Sequence, residues 1–139
     1  MIISYTTEEI ELLARIMRAE ALNEGELGML MVGNVVANRV LADCLTFKNI
    51  STIKEAIYQP KQFVGTTSSL FEAKATSKEK ELAKRIIKGE YYHPATNALW
   101  FYAPGKSSCK EKWYGQSLSG SYKNHCFYKP EKGICNQIY

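Results

Sequence analysis

The sequence predicts an α+β protein, and three observations carry that expectation. Its first half holds well-capped segments of helical periodicity, two of them long. Its second half holds two short aromatic runs closed by proline. No linker, repeat or low-complexity stretch separates the halves, so residues 1–139 are expected to form a single domain.

Thr6 followed by Glu9 is a capping box, in which hydroxyl and carboxylate each take one backbone N–H that the first turn leaves free. It opens a helix expected over Thr7 to Leu22. At ~100° per residue, Ile10, Leu12, Leu13, Ala14, Ile16, Met17 and Ala21 form its apolar arc. Glu8, Glu11, Arg15 and Arg18 fall on the opposite, polar side. Asn23, Glu24 and Gly25 break the pattern. A second helix, expected from Glu26 to Ala42, is apolar nearly all round and so belongs at the centre of the domain. Gly28 and Gly33 within it point to close approach by a neighbouring element, because each costs about 1 kcal/mol of helix propensity. Asn34, Asn38 and Arg39 are polar on this apolar helix, so they face a cleft or satisfy buried groups.

Thr52 with Glu55 opens a short third helix ending before Pro60, and Thr76 with Glu79 opens another that ends near Lys88 with Gly89 beyond it. Between them, Gln59 to Leu70 reads as a polar loop containing Gly65. Ala98 to Ala103 is an aromatic strand stopped by Pro104 and Gly105, and His125 to Tyr128 is a second. The two are expected to pair in a small antiparallel sheet, joined by a long loop carrying Trp113, Tyr114 and Tyr122.

Composition excludes several function classes. The net charge of +4 favours anionic partners mildly, and its basic residues are scattered without a stripe, which argues against nucleic acid. No apolar run reaches the ~20 residues of a membrane span, and the N-terminus has neither the basic nor the apolar region of a signal peptide. Aromatics make up 12% of the chain, led by nine tyrosines, a share that suits carbohydrate and protein-binding clefts as well as a core. There is no Gly-rich phosphate loop, GxSxG elbow or HExxH helix. Cys44, Cys109, Cys126 and Cys135 follow no CxxC spacing, so a zinc site has little support. Four reduced thiols are one expectation. Disulfides are the other: three connectivities are open to four cysteines, and a Cys109–Cys126 bond is the one expected here, because antiparallel pairing of the two strands could bring Cys109 back beside Cys126.

Chemistry is expected from carboxylates. Glu20 projects between Leu13 and Ile16, inside the apolar arc. A carboxyl held there loses solvation and its pKa rises, the condition for a general acid near neutral pH. The alternatives are a side chain that swings to solvent or one paired with Arg39. Glu24, one turn on, is the candidate second acid, and a solvated acidic turn is its alternative. A Cys–His nucleophilic pair, such as Cys126 with a histidine folded back onto it, stays an alternative; Cys126 with its neighbour His125 is disfavoured, since neighbours on a strand point to opposite faces.

The block RAEALNEGELGMLMVGNVVANRV, followed by IYQPKQF, ALWFYAP and HCFY, resembles the SleB/CwlJ family of cell-wall hydrolases. The likeness runs from Leu13 to Tyr139, and the compact length, absent leader and cysteine-bearing ends resemble its CwlJ-type members. The resemblance implies a lysozyme-like fold, as in lytic transglycosylases, and a spore cortex-lytic enzyme of germination. It places the catalytic glutamate on Glu20. It marks Glu24, Asn38 and Arg39 in the first block, Gln59, Pro60 and Phe63 in the second, and Trp100, Tyr102, His125 and Phe127 in strands near the cleft. The substrate implied is cortex peptidoglycan, with no cofactor or metal. With no separate binding module in the sequence, a coat protein is the expected anchor at the spore coat and cortex surface. An amidase cutting the muramoyl–peptide bond, and a non-catalytic coat or glycan-binding module, are the alternative readings.

Overall fold

In the computed structural model, residues 3–60 and 63–139 are described; Lys61 and Gln62, within the expected Gln59–Leu70 loop, lie outside them. All three capping boxes form. Thr6 and Glu9 start α1 (Thr7–Ala21), Thr52 and Glu55 start α3 (Ile53–Tyr58), and Thr76 and Glu79 start α5 (Ser77–Ile87). Glu9 also reaches beyond its own helix, accepting the Lys54 N–H at 2.8 Å, so one carboxylate ties the start of α1 to the start of α3. After one 3-10 turn (Leu22–Glu24), α2 (Gly25–Leu41) runs through the middle, buried continuously from Gly28 to Arg39. Gly33 shows why a glycine sits there. A Cβ at that position would lie 2.8 Å from Ile86 Cγ1 of α5 and 3.1 Å from Met17 Sδ of α1. Between α3 and α5 come a 3-10 turn (Val64–Thr67) and the short α4 (Ser69–Glu72).

Arg18 departs from the expected pattern. It lies on the polar side of α1 yet is buried, because α4 and the segment after it cover that side. Its guanidinium holds them with bonds to the Leu70 and Lys74 carbonyls (2.9 and 3.1 Å) and to Glu79 Oε1 (2.7 Å). An i-to-i+4 reading of one helix cannot see a layer laid over it from elsewhere.

The sheet has four strands, β1 (Trp100–Tyr102), β2 (Lys112–Trp113), β3 (Gln116–Tyr122) and β4 (His125–Lys129), in the order β1-β4-β3-β2, all antiparallel. The expected pairing of the two aromatic strands is present, with Trp100 opposite Tyr128 and Tyr102 opposite Cys126. The segment between them is not a loop: it supplies β2 and β3. QSLSGSY has no β-branched residue to announce a strand; pairing on both edges holds it there. One face of the sheet carries Phe101, His125 and Phe127 toward the helices, where Met31 and Val35 of α2 pack with Ala95, Ala98 and Phe127. The other carries Tyr102, Trp113 and Tyr128.

Two disulfides lock the molecule. Cys109 joins Cys126, 17 residues apart, and Cys44 joins Cys135, 91 apart. The second bond fastens the region after α2 to the C-terminal segment beside Phe47 and Leu99. With Cys126 bonded there is no thiol beside His125, which closes the nucleophilic-pair alternative.

Candidate active site

Glu20 stands in the last turn of α1, half-buried at the wall of a cleft of about 230 Å³ that Leu70, Ala103, Asn124 and His125 also line. Its Oε2 accepts the Gly65 N–H at 2.7 Å. Burial pushes the Glu20 carboxyl above its ordinary value; the Gly65 N–H and the nearby charges of His125 and Arg39 pull the other way without cancelling it. Gly65 must lack a side chain for this contact, since a Cβ there would sit 2.2 Å from Glu20 Oε2. The acid therefore has one oxygen held by a backbone amide while its carboxyl faces an open cleft.

Glu24 has a different environment. It is buried, and both of its oxygens are engaged: Oε1 by His125 Nδ1 and Oε2 by the Asn124 N–H at 2.7 Å. Lys123 Nζ adds a bond to the Glu24 carbonyl at 3.2 Å. The Lys123–Asn124 turn between β3 and β4 thus closes over the end of the 3-10 turn, with Lys123 in the left-handed region (φ 49°) so that the next amide can reach the carboxylate. Glu24 Oε1 engages the His125 ring at Nδ1 and so fixes the orientation of the imidazole. Phe101 supports the same ring edge-on, with centroids 5.1 Å apart.

Arg39 is buried beneath Phe63 and Phe47, its guanidinium carbon 4.6 and 5.1 Å from their ring centres. Its Nε donates to the Leu99 carbonyl at 2.8 Å, and Nη1 has no hydrogen-bond partner among the described residues. Burial lowers the guanidinium to about 9, with Glu20 pulling it back up, so it stays cationic at neutral pH. Among the described residues no ion pair joins Arg39 to Glu20; the cation acts on the acid through space.

The remaining sequence candidates separate by place. Phe63 covers Arg39 and lies 6.1 Å from Phe101. Phe127 is in the helix–sheet core. Asn38 does not face the cleft: its Nδ2 binds the carbonyls of Ala95, Thr96 and Ala98 (3.2, 3.1 and 2.8 Å) and so shapes the approach to β1. Gln59 holds the Thr46 carbonyl at 3.1 Å. Neither Trp100 nor Tyr102 lines the cleft: Trp100 packs toward Phe47 (6.0 Å) in the cluster at the end of α2, and Tyr102 lies on the outer sheet face toward Trp113 (4.7 Å). The residue of that strand turned toward His125 is Phe101, and the period of two, counted from Phe127 and His125 through the pairing, is the signal that picks it out. Gly65 and Asn124 act through backbone amides and leave no signal in a side-chain motif.

The family described as Cell Wall Hydrolase matches residues 23–128, a stretch that begins just after Glu20 and includes Glu24, Gly65 and His125. Cell wall hydrolase CwlJ of Oceanobacillus iheyensis is 49% identical over 99% of this chain and 98% of its own length. Its Bacillus subtilis counterpart is 41% identical over 99% and 96%. The spore cortex-lytic enzyme of Bacillus cereus is 27% identical over 78% of this chain and 40% of that protein. The crystal structure of the catalytic domain of Bacillus cereus SleB superposes with a TM-score of 0.71, at 24% identity, over 91% of this chain and 93% of that one; it shows the fold. With a family match across most of the sequence and near-full-length relatives above 40% identity, the chain belongs to the cell wall hydrolases.

Proposed function

We propose that this protein cleaves the glycan strand of spore cortex peptidoglycan by lytic transglycosylation, with Glu20 as the one acid–base residue. The observation that carries the reading is the contrast between the two carboxylates. Glu20 is half-buried, raised in pKa and open to the cleft, while Glu24 has both oxygens committed to His125 and Asn124. A two-carboxylate hydrolase needs its second acid free to attack the sugar or to activate water. Glu24 is not free, so one residue has to serve twice.

Protonated Glu20 gives its proton to the glycosidic oxygen at C1 of N-acetylmuramic acid. The C1–O bond breaks, and its electron pair stays with the departing sugar, now an alcohol. Glu20, left as a carboxylate, stabilises the positive charge at C1 and then takes the proton of the muramic 6-hydroxyl. That oxygen closes on C1, the anhydro ring forms, and Glu20 is protonated again. His125, held by Glu24, presents a fixed imidazole to the sugar and positions it. The Phe101 ring behind it keeps the imidazole from turning.

The name of the Bacillus cereus relative, a spore cortex-lytic enzyme, supports cortex as the substrate, and a coat protein that holds the enzyme at the cortex surface is part of the same proposal. An amidase reading finds no support in the residues: both sulfurs near the sheet are bonded, and no three His, Cys, Asp or Glu side chains gather at metal-binding distance among the described residues. The test is mass spectrometry of fragments released from cortex by the protein and by Glu20→Gln. Anhydromuramic ends, together with a loss of ~10² to 10⁴ in rate for the variant, are expected. Reducing ends, free peptides or near-normal lysis by Glu20→Gln would each reject the scheme.

A further inference from the structure

The sheet face turned away from the helices holds an aromatic cluster that the cleavage scheme does not use. Tyr102 of β1 lies 4.7 Å from Trp113 of β2, Trp113 lies 5.3 Å from Tyr128 of β4, and Tyr114 at the β2–β3 turn continues it at 5.5 Å from Trp113. Tyr128 is buried and forms the floor; its hydroxyl donates to the Lys110 carbonyl at 2.8 Å. The Cys109–Cys126 bond crosses the same face, so the support is rigid. Tyr114, by contrast, is 86% exposed. It also has φ 51° at the first position of a two-residue turn, a place that ordinarily goes to Asn, Asp or Gly. A large ring held in the left-handed region, in water, contributes nothing to this fold that a small residue would not supply better.

The charge distribution says what such a face would meet. Residues 104–139 contain six lysines and two glutamates, while residues 1–103 contain twelve basic and twelve acidic residues. The whole net charge of +4 therefore belongs to the part of the chain that builds β2, β3 and β4. Lys110, whose carbonyl takes the Tyr128 hydroxyl, and Lys106, four residues after Tyr102 in the chain, are exposed and form no ion pair among the described residues. Lys112 beside Trp113 is exposed and shared with Ser117 and Glu131. Stacked rings suit the apolar faces of sugars, and surrounding ammonium groups suit carboxylates borne by the same polymer.

We propose that Tyr102, Trp113 and Tyr114, with Lys106, Lys110 and Lys112, form an accessory binding face for an anionic glycan, holding a second stretch of the peptidoglycan that Glu20 cuts. This rests on the glycan reading of the cleft. The face starts at Tyr102, next in the chain to Ala103 of the cleft wall, so a strand leaving the cleft past β1 meets the rings directly. Binding there keeps the enzyme on an insoluble substrate between cuts without involving the acid.

The experiment measures sedimentation with purified cortex sacculi, using the full chain carrying Glu20→Gln. Trp113→Ala with Tyr114→Ala in that background is expected to weaken binding about tenfold, the equivalent of ~1.4 kcal/mol. Tyr114→Ser alone, whose exposed side chain cannot affect folding through burial, should lose about threefold. Tyr5→Ser, at another exposed tyrosine on the helical side, should bind as the parent does. Sacculi whose carboxyls have been converted to amides should bind the parent several-fold more weakly. Unaltered binding of both aromatic variants, as expected if the face docks a protein instead, overturns the proposal; unaltered binding to the amidated sacculi overturns the charge half of it. Fragment release by the protein with Glu20 intact reads the cleavage scheme separately, so either result can fail while the other stands.

Discussion

Replacing Gly65 by Ala tests the proposed acid without touching it. Gly65 is outside the left-handed region, so its backbone accepts an alanine, and the loss of chain freedom in the unfolded state favours the variant by about 0.4 to 1 kcal/mol. The obstacle is the carboxylate: the new Cβ would lie 2.2 Å from Glu20 Oε2, where comfortable contact needs ~3.5 Å. The oxygen has to retreat by roughly 1 Å, a displacement that costs ~10² in rate when it falls on a reacting group. Retreat also lengthens the 2.7 Å bond from the Gly65 N–H. Losing one hydrogen bond to a charged group costs about 1.5 to 3 kcal/mol, offset in part by the chain-freedom gain. The carboxylate is the mobile end of a half-buried side chain, so the fold should survive with a net drop of about 0.5 to 2.6 kcal/mol. The amide lowers the Glu20 pKa, so weakening it should also move the alkaline fall in activity to higher pH. Turnover on cortex fragments across pH, with thermal unfolding alongside, reads all three effects. In a Glu20→Gln background the same change should remove nothing further, since both act through one group. A folded Gly65→Ala variant with more than half the parental rate would show that the Gly65–Glu20 contact does not position the acid.

Glu24→Gln cannot accept from His125 Nδ1–H and the Asn124 amide at once. One buried donor loses its partner or the ring changes tautomer, so stability should fall by about 1 to 3 kcal/mol. Turnover should drop less than in Glu20→Gln; an equally severe loss with reducing-end products would favour the two-carboxylate hydrolase. Arg39→Met removes a cation that lowers the Glu20 pKa, so the pH above which Glu20 stops donating should rise, and a downward shift would refute the through-space role. Replacing Cys44 and Cys135 by serine should cost about 4 to 5 kcal/mol of unfolding free energy, against about 3 for Cys109 and Cys126, following the closed loops of 91 and 17 residues. Denaturant unfolding tests the order, and its reversal would mean that strain or residual structure outweighs loop length.

The parts of the fold legible in the sequence are those decided within a few residues. Thr6, Thr52 and Thr76 each mark a helix start because the partner glutamate stands three positions on. Glu20 was legible for a similar reason, its place on one helix face following from angle alone. β3 was not, since a strand of serines and glycine is specified by neighbours that pair with it rather than by its own pattern. The Glu24–His125 contact spans 101 residues, and nothing local distinguishes that glutamate from a solvated one. Asn38 illustrates the same limit, for an amide on an apolar helix serves a cleft or a bend equally well until the bend is seen to wrap around it.

The Cys44–Cys135 bond makes a covalent ring of the chain between those residues, with the smaller Cys109–Cys126 ring inside it. Glu20 and Glu24 lie on the tail outside the ring, and Gly65, Asn124 and His125 lie within it. A single proteolytic cut anywhere between Cys44 and Cys135 opens the ring without releasing a fragment. The acid and every group that holds it stay on one molecule, and only a second cut, or reduction of the bond, can part them.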